Sequence, residues 1–186
     1  MDMQVTKPSA ATLPEQPITS EVLLEKYAKR GETAAVQVYA RVARALAAAE
    51  LPARREAVEQ EFFGALNRGL LGAGRIMSAA GTDLQATLIN CFVQPVGDSM
   101  SNHDDEGFPG SYTALTEASE TMRRGGGVGY DFSRLRPKGA PVKSTQSNAS
   151  GPLSYMRVFD RSCETVESAG ARRGAQMGVL RCDHPD

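Results

Sequence analysis

The sequence predicts an α/β protein whose first third is helical and whose remainder alternates short strands with helices. Between residues 18 and 72, apolar residues recur at three- and four-residue spacing, which is the period of an amphipathic helix. After about residue 73, short apolar runs alternate with helical stripes, and nine of the 18 glycines lie from Gly125 onward. Strands that alternate with helices indicate a sheet built from parallel units.

Three helices are predicted between residues 18 and 72. Thr19 is a candidate cap for the first, whose apolar face includes Leu23 and Tyr27 and whose end we expect at Gly31. The apolar stripes of the second and third helices are Ala35, Val38, Val42 and Leu46, and then Val58, Phe62 and Ala65. We interpret these stripes as packing faces. Residues 1–17 contain three prolines and are predicted to form a flexible tail.

The remainder, residues 73–186, is predicted to contain three strands and two long helices. The strands are Leu88 to Val96, Val128 to Phe132 and Gly178 to Cys182, and the helices are Ser111 to Arg124 and a segment striped by Leu153, Met156, Phe159, Cys163 and Val166. A sheet of three strands leaves an open edge, which complete proteins usually cover. Residues 183–186 resemble the start of a helix, with an Asp cap and a Pro. We therefore expect the N-terminal part of a larger protein.

The composition argues against several classes of protein. Because 21 Lys and Arg residues oppose 22 Asp and Glu residues, the net charge is −1, which does not favour a nucleic-acid partner. No apolar run approaches the ~20 residues of a membrane span, and the N-terminus lacks a signal-peptide pattern. Three cysteines without a Cys-x-x-Cys pair predict neither a disulfide framework nor a metal site. We expect a cytoplasmic, soluble protein with no membrane partner.

A run of glycines is the first candidate for ligand binding. Gly125 to Gly129, interrupted only by Val128, follows Arg123 and Arg124. Consecutive glycines let a backbone approach a ligand closely and turn its N–H groups toward an anion. The run matches neither a Walker A loop nor the dinucleotide-binding fingerprint. A tight turn between a helix and a strand is therefore at least as good an interpretation.

A basic loop is the second candidate, and its cations are Arg134, Arg136, Lys138 and Lys143. Cations at irregular spacing in a loop broken by Pro and Gly commonly hold phosphates. A solvated surface loop is an equally good interpretation. The same two possibilities apply to the segment from Arg172 to Ala175.

Cys91 is the third candidate, because it lies inside a predicted apolar strand between Ile89 and Phe92. A buried structural thiol is the more common role of such a cysteine. A redox or nucleophilic cysteine would need exposure and a second thiol or a base. Cys163 is expected to pack on a helix stripe, and Cys182 with His184 forms only an isolated Cys-x-His.

Four ordered segments together resemble the ribonucleotide reductase catalytic subunit, and they are closest to its adenosylcobalamin-dependent class. The segments are NCFVQPVGDS from Asn90, RRGGGVGYDFSRLRPKGAPV from Arg123, SNASGPLSYMRVFD from Ser147 and GARRGAQMGVLRCDHPD from Gly170. The helical start, with SEVLLEKYAKRGE from Ser20, also looks like the helical region of that family. The resemblance covers nearly the whole chain beyond the tail.

The resemblance implies a ten-stranded α/β barrel made of two five-stranded parallel halves and preceded by a helical domain. This chain would supply residues 18–72 as the helical domain and residues 73–186 as the incomplete start of the barrel. The implied reaction replaces the ribose 2′-OH of a ribonucleotide with hydrogen. In the family a thiyl radical abstracts the 3′-hydrogen, and a cysteine pair then delivers two electrons and becomes a disulfide.

The resemblance also assigns roles to particular residues. Cys91 matches the first member of the redox pair, and Asn90 and Gly127 match positions that lie against the substrate. Asp98 matches a carboxylate that contacts the sugar of an allosteric deoxynucleoside triphosphate effector. Arg136 and Lys143 match two cations that hold the effector phosphates, although the family often has arginine at the second position. The radical cysteine and the second redox cysteine lie beyond residue 186 in the family.

The implied cofactor is adenosylcobalamin, and most of its contacts would come from outside this chain. The implied partners are a ribonucleotide substrate, the effector, a thioredoxin-like reductant, and either a second copy in a homodimer or the remainder of a split enzyme. The chain alone is expected to be inactive. The alternatives are a non-catalytic nucleotide-binding or regulatory module derived from the same fold, and an inert fragment.

Overall fold

The computed structural model describes residues 16–168 and 172–186, so the predicted tail lies outside the described residues except for Gln16 and Pro17. The chain divides into two compact units, Met1–Gly81 and Thr82–Asp186. The boundary predicted at residue 72 falls just before a helix, Gly74–Ala79, that belongs to the first unit.

The first unit is built from helices over its described residues. They are α1 (Pro17–Val22), which continues into a π-helical turn (Leu23–Tyr27), α2 (Ala35–Ala47), a 3₁₀ turn (Pro52–Arg54) that leads into α3 (Arg55–Asn67), and α4 (Gly74–Ala79). The helix begins at Pro17, because a fixed proline φ suits the first helical position. Thr19 therefore lies inside α1 and is not its cap, and the helical segment ends at Tyr27 rather than at Gly31.

The core of the first unit forms where α2 packs against α3 and α4. Val38 and Val42 of α2 are buried with Leu66 of α3 and Met77 of α4, so the predicted stripe of α2 contains core residues. The stripe predicted for α3 is only partly buried, since Phe62 remains 37% exposed. Periodicity predicts which face of a helix points inward, but it does not predict how far a neighbouring helix covers that face.

Arg41 of α2 links the ends of several elements of the first unit. Its guanidinium donates to the backbone carbonyls of Tyr27 at 3.0 Å, Met77 at 3.1 Å and Ala80, and to the Glu32 carboxylate at 2.8 Å. Burial raises the pKa of Glu32, but the hydrogen bonds from Arg41 and from the Lys29 backbone N–H, together with the charges of both residues, outweigh burial, so this pKa lies below its usual value. The arginine thus satisfies carbonyls that would otherwise lack partners at helix ends.

The second unit contains a parallel sheet, two helices and two short hairpins. The elements are β1 (Cys91–Pro95), α5 (Ser111–Arg123), β2 (Gly127–Asp131), β3 (Pro141–Val142), β4 (Ser147–Asn148), α6 (Pro152–Thr165), β5 (Glu167–Ser168), β6 (Arg172–Arg173) and β7 (Gln176–Val179). The strand order is β1-β2-β7, and both pairings are parallel. The prediction of a sheet built from parallel units is therefore confirmed.

The three predicted strands are present but with different limits. β1 is shorter than predicted at both ends, β2 begins at Gly127, and β7 begins at Gln176. The antiparallel hairpins β3–β4 and β5–β6 were not predicted. Strands of two residues are too short to show a period in the sequence.

The core of the second unit lies between the sheet and helices α5 and α6. Ala114, Ala118 and Met122 of α5 and Phe159 of α6 are buried against it. The ring of Phe159 packs edge-on against the rings of Tyr130 at 4.7 Å and Phe132 at 5.1 Å between centroids. Burial raises the pKa of Tyr130 to about 12. The aromatic cluster therefore joins α6 to the central strand.

No helix among the described residues is long and apolar enough to cross a membrane.

Replacement of Phe159 by alanine should destabilise the second unit by about 3–5 kcal/mol, because it removes a buried ring and leaves a cavity. The measurement is urea-induced unfolding of the whole chain, monitored by circular dichroism. Leu153→Ala on the same helix is the control, since Leu153 is 53% exposed and should cost less than about 1 kcal/mol. Equal costs for the two variants would contradict the assigned core.

Candidate functional site

The N-terminal ends of β1 and β2 bring together the three predicted substrate-site residues. Cys91 pairs with Gly127 in the parallel register, and the Gly127 N–H donates to the carbonyl of Asn90 at 2.7 Å. The side chain of Cys91 is exposed, so the interpretation as a buried structural thiol is wrong. A strand end holds this thiol on a regular backbone while leaving it accessible to a ligand.

The sheet face that carries Cys91 is open among the described residues. Parallel register places Val93 of β1, Gly129 of β2 and Met177 of β7 side by side on this face. Val93 is 87% exposed and Met177 is 62% exposed. A Cβ on Gly129 would meet only the Phe92 carbonyl oxygen, at 3.9 Å. The central strand therefore exposes its backbone to any molecule that approaches this face.

The other two cysteines differ from Cys91. Cys163 is partly buried against the core of the second unit, and burial raises the pKa of its thiol. Cys182 is exposed and lies after β7. A raised pKa lowers the thiolate fraction, which makes Cys163 less reactive. Exposure alone does not distinguish Cys182 from Cys91, but position does, because only Cys91 pairs with Gly127.

The C-terminal ends of β1 and β2 lead to the predicted effector residues. The Nε of Arg136 donates to Oδ2 of Asp98 at 2.9 Å and lies 3.1 Å from Oδ1. The backbone N–H of Arg136 also donates to Oδ1, at 3.2 Å. Both side chains are partly exposed, so this pair lies at the surface of a cavity rather than in the core. The ion pair joins loops that are separated by 38 residues in the sequence.

An open cavity of about 1580 Å³ lies beside this ion pair. Its lining includes Asp98, Arg136 and Lys143, so the structure brings all three predicted effector residues to one place. The remaining lining residues come mainly from the loop after β1, the β3–β4 hairpin and the start of α6, among them Ser99, His103, Asp104, Thr145, Ser147, Ser150 and Tyr155. The lining is therefore rich in hydroxyl groups and in charges of both signs.

The charges of this cavity are partly neutralised within it. Arg134 forms an ion pair with Glu106 and lies 3.8 Å above the ring of Phe108. Lys143 makes no hydrogen bond or ion pair with any residue in the described part of the chain. Lys138, the fourth cation of the predicted basic loop, is not among the lining residues. Among the described cations of the cavity, Lys143 and the outer edge of Arg136 are the most open to an anion, since Nη1 of Arg136 makes only a long contact of 3.5 Å with the Pro141 carbonyl oxygen.

Asp104 holds the loop that carries Asp98, a role that the sequence analysis missed. Its Oδ1 accepts the N–H groups of Phe108 at 2.9 Å and Glu106 at 3.0 Å, and its Oδ2 accepts the N–H of Asp98 at 3.2 Å. The hydrogen bond from Phe108 is the main cause of a pKa below the usual range for Asp104. The available signal was local, since Asp followed by Gly and Pro is typical of a side chain that caps a turn.

Two family models match consecutive parts of the chain. The ribonucleotide reductase all-alpha domain matches residues 16–85, and the ribonucleotide reductase barrel domain matches residues 89–186. The barrel-domain match alone covers more than half of the chain. This chain belongs to the ribonucleotide reductase family.

Individual relatives agree with this assignment. A vitamin B12-dependent ribonucleoside-diphosphate reductase from Mycobacterium tuberculosis is 45% identical over 107 residues, which cover 58% of this chain and 14% of the relative. One from Thermoplasma acidophilum is 44% identical over 107 residues, which cover 58% of this chain and 13% of the relative. The chain therefore matches about one seventh of the length of these relatives.

A solved structure shares the fold. The Actinobacillus ureae class Id ribonucleotide reductase alpha subunit superposes with a TM-score of 0.68 at 22% sequence identity. The superposition covers 91% of this chain and 28% of that subunit. The open sheet face and the three strands fit the predicted start of a barrel, which these residues do not close.

Replacement of Asp104 by asparagine should loosen the loop that carries Asp98 and reduce the pH dependence of stability. The pKa of Asp104 is lowered in the folded state, so its contribution is present at neutral pH and is lost as the pH falls through that lowered value. The thermal midpoint, measured from neutral pH to about pH 3, should therefore fall less in Asp104→Asn than in the unmodified chain.

Asp105→Asn is the matched control, since the neighbouring side chain accepts none of the three hydrogen bonds that hold this loop. Asp105→Asn should retain the full pH dependence. An identical pH profile for the Asp104 variant and the unmodified chain would contradict the assignment.

Proposed function

We propose that this chain contributes the helical domain and the start of the barrel to an enzyme that converts ribonucleotides to deoxyribonucleotides. Within that enzyme the chain supplies an allosteric site for a deoxynucleoside triphosphate and one cysteine of the redox pair. The observation that carries the proposal is the convergence of Asp98, Arg136 and Lys143 on one cavity. Asp98 lies 38 residues from Arg136 in the sequence, so their meeting at one cavity is a property of the fold.

The effector site uses complementary charges. Lys143 and the outer edge of Arg136 would hold phosphate oxygens, since an ammonium group and a guanidinium group both donate charge-assisted hydrogen bonds. The Nε edge of Arg136 is already bound to Asp98, which fixes the direction of the guanidinium. Asp98 retains acceptor capacity for a sugar hydroxyl, because an ionised carboxylate accepts several hydrogen bonds.

Arg136→Ala and Lys143→Ala should each weaken the binding of a deoxynucleoside triphosphate by about 1.5–3 kcal/mol, the range for hydrogen bonds to charged groups. The measurement is isothermal titration calorimetry of the chain with dATP, dCTP, dGTP and dTTP in turn. Lys138→Ala is the matched control, because Lys138 belongs to the same basic loop and does not line the cavity.

Two results would contradict the effector site. One is the absence of binding by the unmodified chain to all four nucleotides. The other is an equal loss of affinity in Lys138→Ala, which would mean that the basic loop attracts anions without forming a site.

The proposed redox role of Cys91 depends on its position on the open sheet face. The balanced step is ribonucleotide plus two thiols giving deoxyribonucleotide, a disulfide and water. Two S–H bonds break and one S–S bond forms, so the two electrons that reduce the ribose come from the sulfurs. Cys91 would provide one sulfur, and a cysteine from the rest of the enzyme would provide the other. Asn90 and Gly127 would lie against the same ribonucleotide, since they adjoin Cys91.

Cys91→Ser in the complete reductase should abolish deoxynucleotide production over multiple turnovers with a dithiol reductant, because serine cannot form the disulfide. Effector binding should remain near normal, since Cys91 lies at the opposite end of the strands from the cavity. Cys182→Ser is the control, because that thiol is also exposed but lies elsewhere in the unit. Sustained turnover by Cys91→Ser would contradict the redox role of Cys91.

The remaining partners follow from this reaction. The relatives are named for vitamin B12, and we propose adenosylcobalamin as the cofactor, which would supply the radical that starts the reaction. The charged cavity of this chain suits a phosphate chain, and its residues are not assigned to the cofactor. A thioredoxin-like protein would reduce the disulfide, which suits the reducing cytoplasm, and the enzyme would act as a homodimer or together with a separate remaining chain.

A second candidate is a nucleotide-binding regulatory module without catalysis of its own. The same cavity favours it, because binding there does not need Cys91. Nucleotide binding by this chain, together with a nucleotide-dependent change in the turnover of a separate complete reductase, would favour this function.

A further inference from the structure

The segment after β7 folds back onto the loop that follows β2. The N–H of Arg181 donates to Oγ of Ser133 at 2.8 Å. Nε2 of His184 lies 2.8 Å from the carbonyl oxygen of Leu135. The carboxylate of Asp186 accepts the backbone N–H of Lys138, at 2.9 Å to Oδ2. Three contacts thus join two segments separated by 48 or 49 residues in the sequence.

These contacts lie on both sides of Arg136. Leu135 immediately precedes it and Lys138 follows it by two residues, and both are held through backbone atoms. Backbone contacts fix the path of the loop whatever its side chains are. The path of the loop sets the position from which the Arg136 side chain starts, and the ion pair with Asp98 then directs its outer edge toward the cavity.

His184 and Asp186 also order one another. The N–H of Asp186 donates to Nδ1 of His184 at 3.1 Å. Since Nδ1 accepts this hydrogen bond, Nε2 carries the proton and donates to the Leu135 carbonyl. The two side chains therefore form one hydrogen-bonded unit, which we name the 184–186 clasp.

We propose that the 184–186 clasp positions Arg136 for nucleotide phosphate, so that His184 and Asp186 are positioning residues of the effector cavity. The inference rests on the proposed effector site. His184 and Asp186 do not line the cavity, and the sequence patterns gave neither of them a role at this site. Their effect is indirect, because they contact the backbone on either side of Arg136 and not the nucleotide.

The experiment compares His184→Ala and Asp186→Ala with Asp183→Ala as matched control, all in the 186-residue chain. The Asp183 carboxylate pairs with the Arg181 side chain at 2.6 Å and does not reach the loop. The nucleotide is whichever of dATP, dCTP, dGTP and dTTP binds the unmodified chain most tightly, measured by calorimetry. His184→Ala and Asp186→Ala should each weaken binding about five- to tenfold, because the free energy of the lost hydrogen bond sets the upper limit of what a disordered loop can cost, and Asp183→Ala should leave binding unchanged.

Two further readouts separate positioning from general stability. His184→Gln should recover most of the affinity, because its amide NH₂ can donate to the Leu135 carbonyl as Nε2 does. Amide hydrogen exchange of Lys138 should accelerate in Asp186→Ala, whereas the amide of Gly139, which donates to the carbonyl of Ala149 at 2.9 Å, should stay protected. The thermal midpoint should change little in the His184 and Asp186 variants.

The remaining outcomes distinguish failure of the clasp inference from failure of the proposed effector site. Unchanged affinity in both alanine variants, with normal binding by the unmodified chain, overturns the inference and leaves the effector site intact. No binding by the unmodified chain overturns the effector site and, with it, the role of the clasp in nucleotide binding. Lys138 exchange then still reports whether the clasp holds the loop, and unchanged exchange in Asp186→Ala shows that it does not.

Discussion

The parallel pairing of β1 with β2 positions both candidate sites of the second unit. Its register places Cys91 opposite Gly127 at one end of the strands. At the other end the same two strands lead into the loops that carry Asp98 and Arg136, whose ion pair borders the cavity. Side chains alternate along a strand, so a shift of one residue would turn Cys91 toward the helices. One pairing thus fixes an exposed thiol and a charged cavity at opposite ends of one sheet.

In the part of the chain that the structure describes, helices cover one face of the sheet and leave the other open. α5 and α6 bury the face that carries Tyr130, whereas Val93 and Met177 remain exposed on the other. Parallel sheets normally have both faces covered, since strands of this kind are rich in apolar side chains. The open face of this sheet is lined partly by the glycine backbone of β2, the strand next to the one that carries Cys91. A backbone without side chains allows a ligand to approach β2 closely.

The proposed effector cavity is built differently from the surroundings of Cys91, because loops rather than strands carry its residues. Loops need side-chain hydrogen bonds to hold one conformation. Asp104 supplies these bonds around Asp98, and the 184–186 clasp supplies them around Arg136. Arg136 and Asp98 then meet with both partners already ordered, so less conformational entropy would be lost on the proposed binding of a phosphate chain. Charge alone would attract an anion, but ordered loops give it a defined position.

Periodicity in the sequence was enough to predict α2, α5 and α6 and the parallel sheet, because helical and strand periods are local properties of the backbone. Similarity in four ordered segments was enough to predict the family and to select Asp98, Arg136 and Lys143. Burial could not be predicted in the same way. Cys91 has apolar neighbours and is exposed nevertheless, since a residue is buried only where another layer covers it. The 184–186 clasp could not be predicted from the sequence either, and the turn pattern around Asp104 did not show that its carboxylate also holds Asp98. The clasp joins residues 48 or 49 positions apart, and such contacts exist only after the strands have paired and brought their loops together.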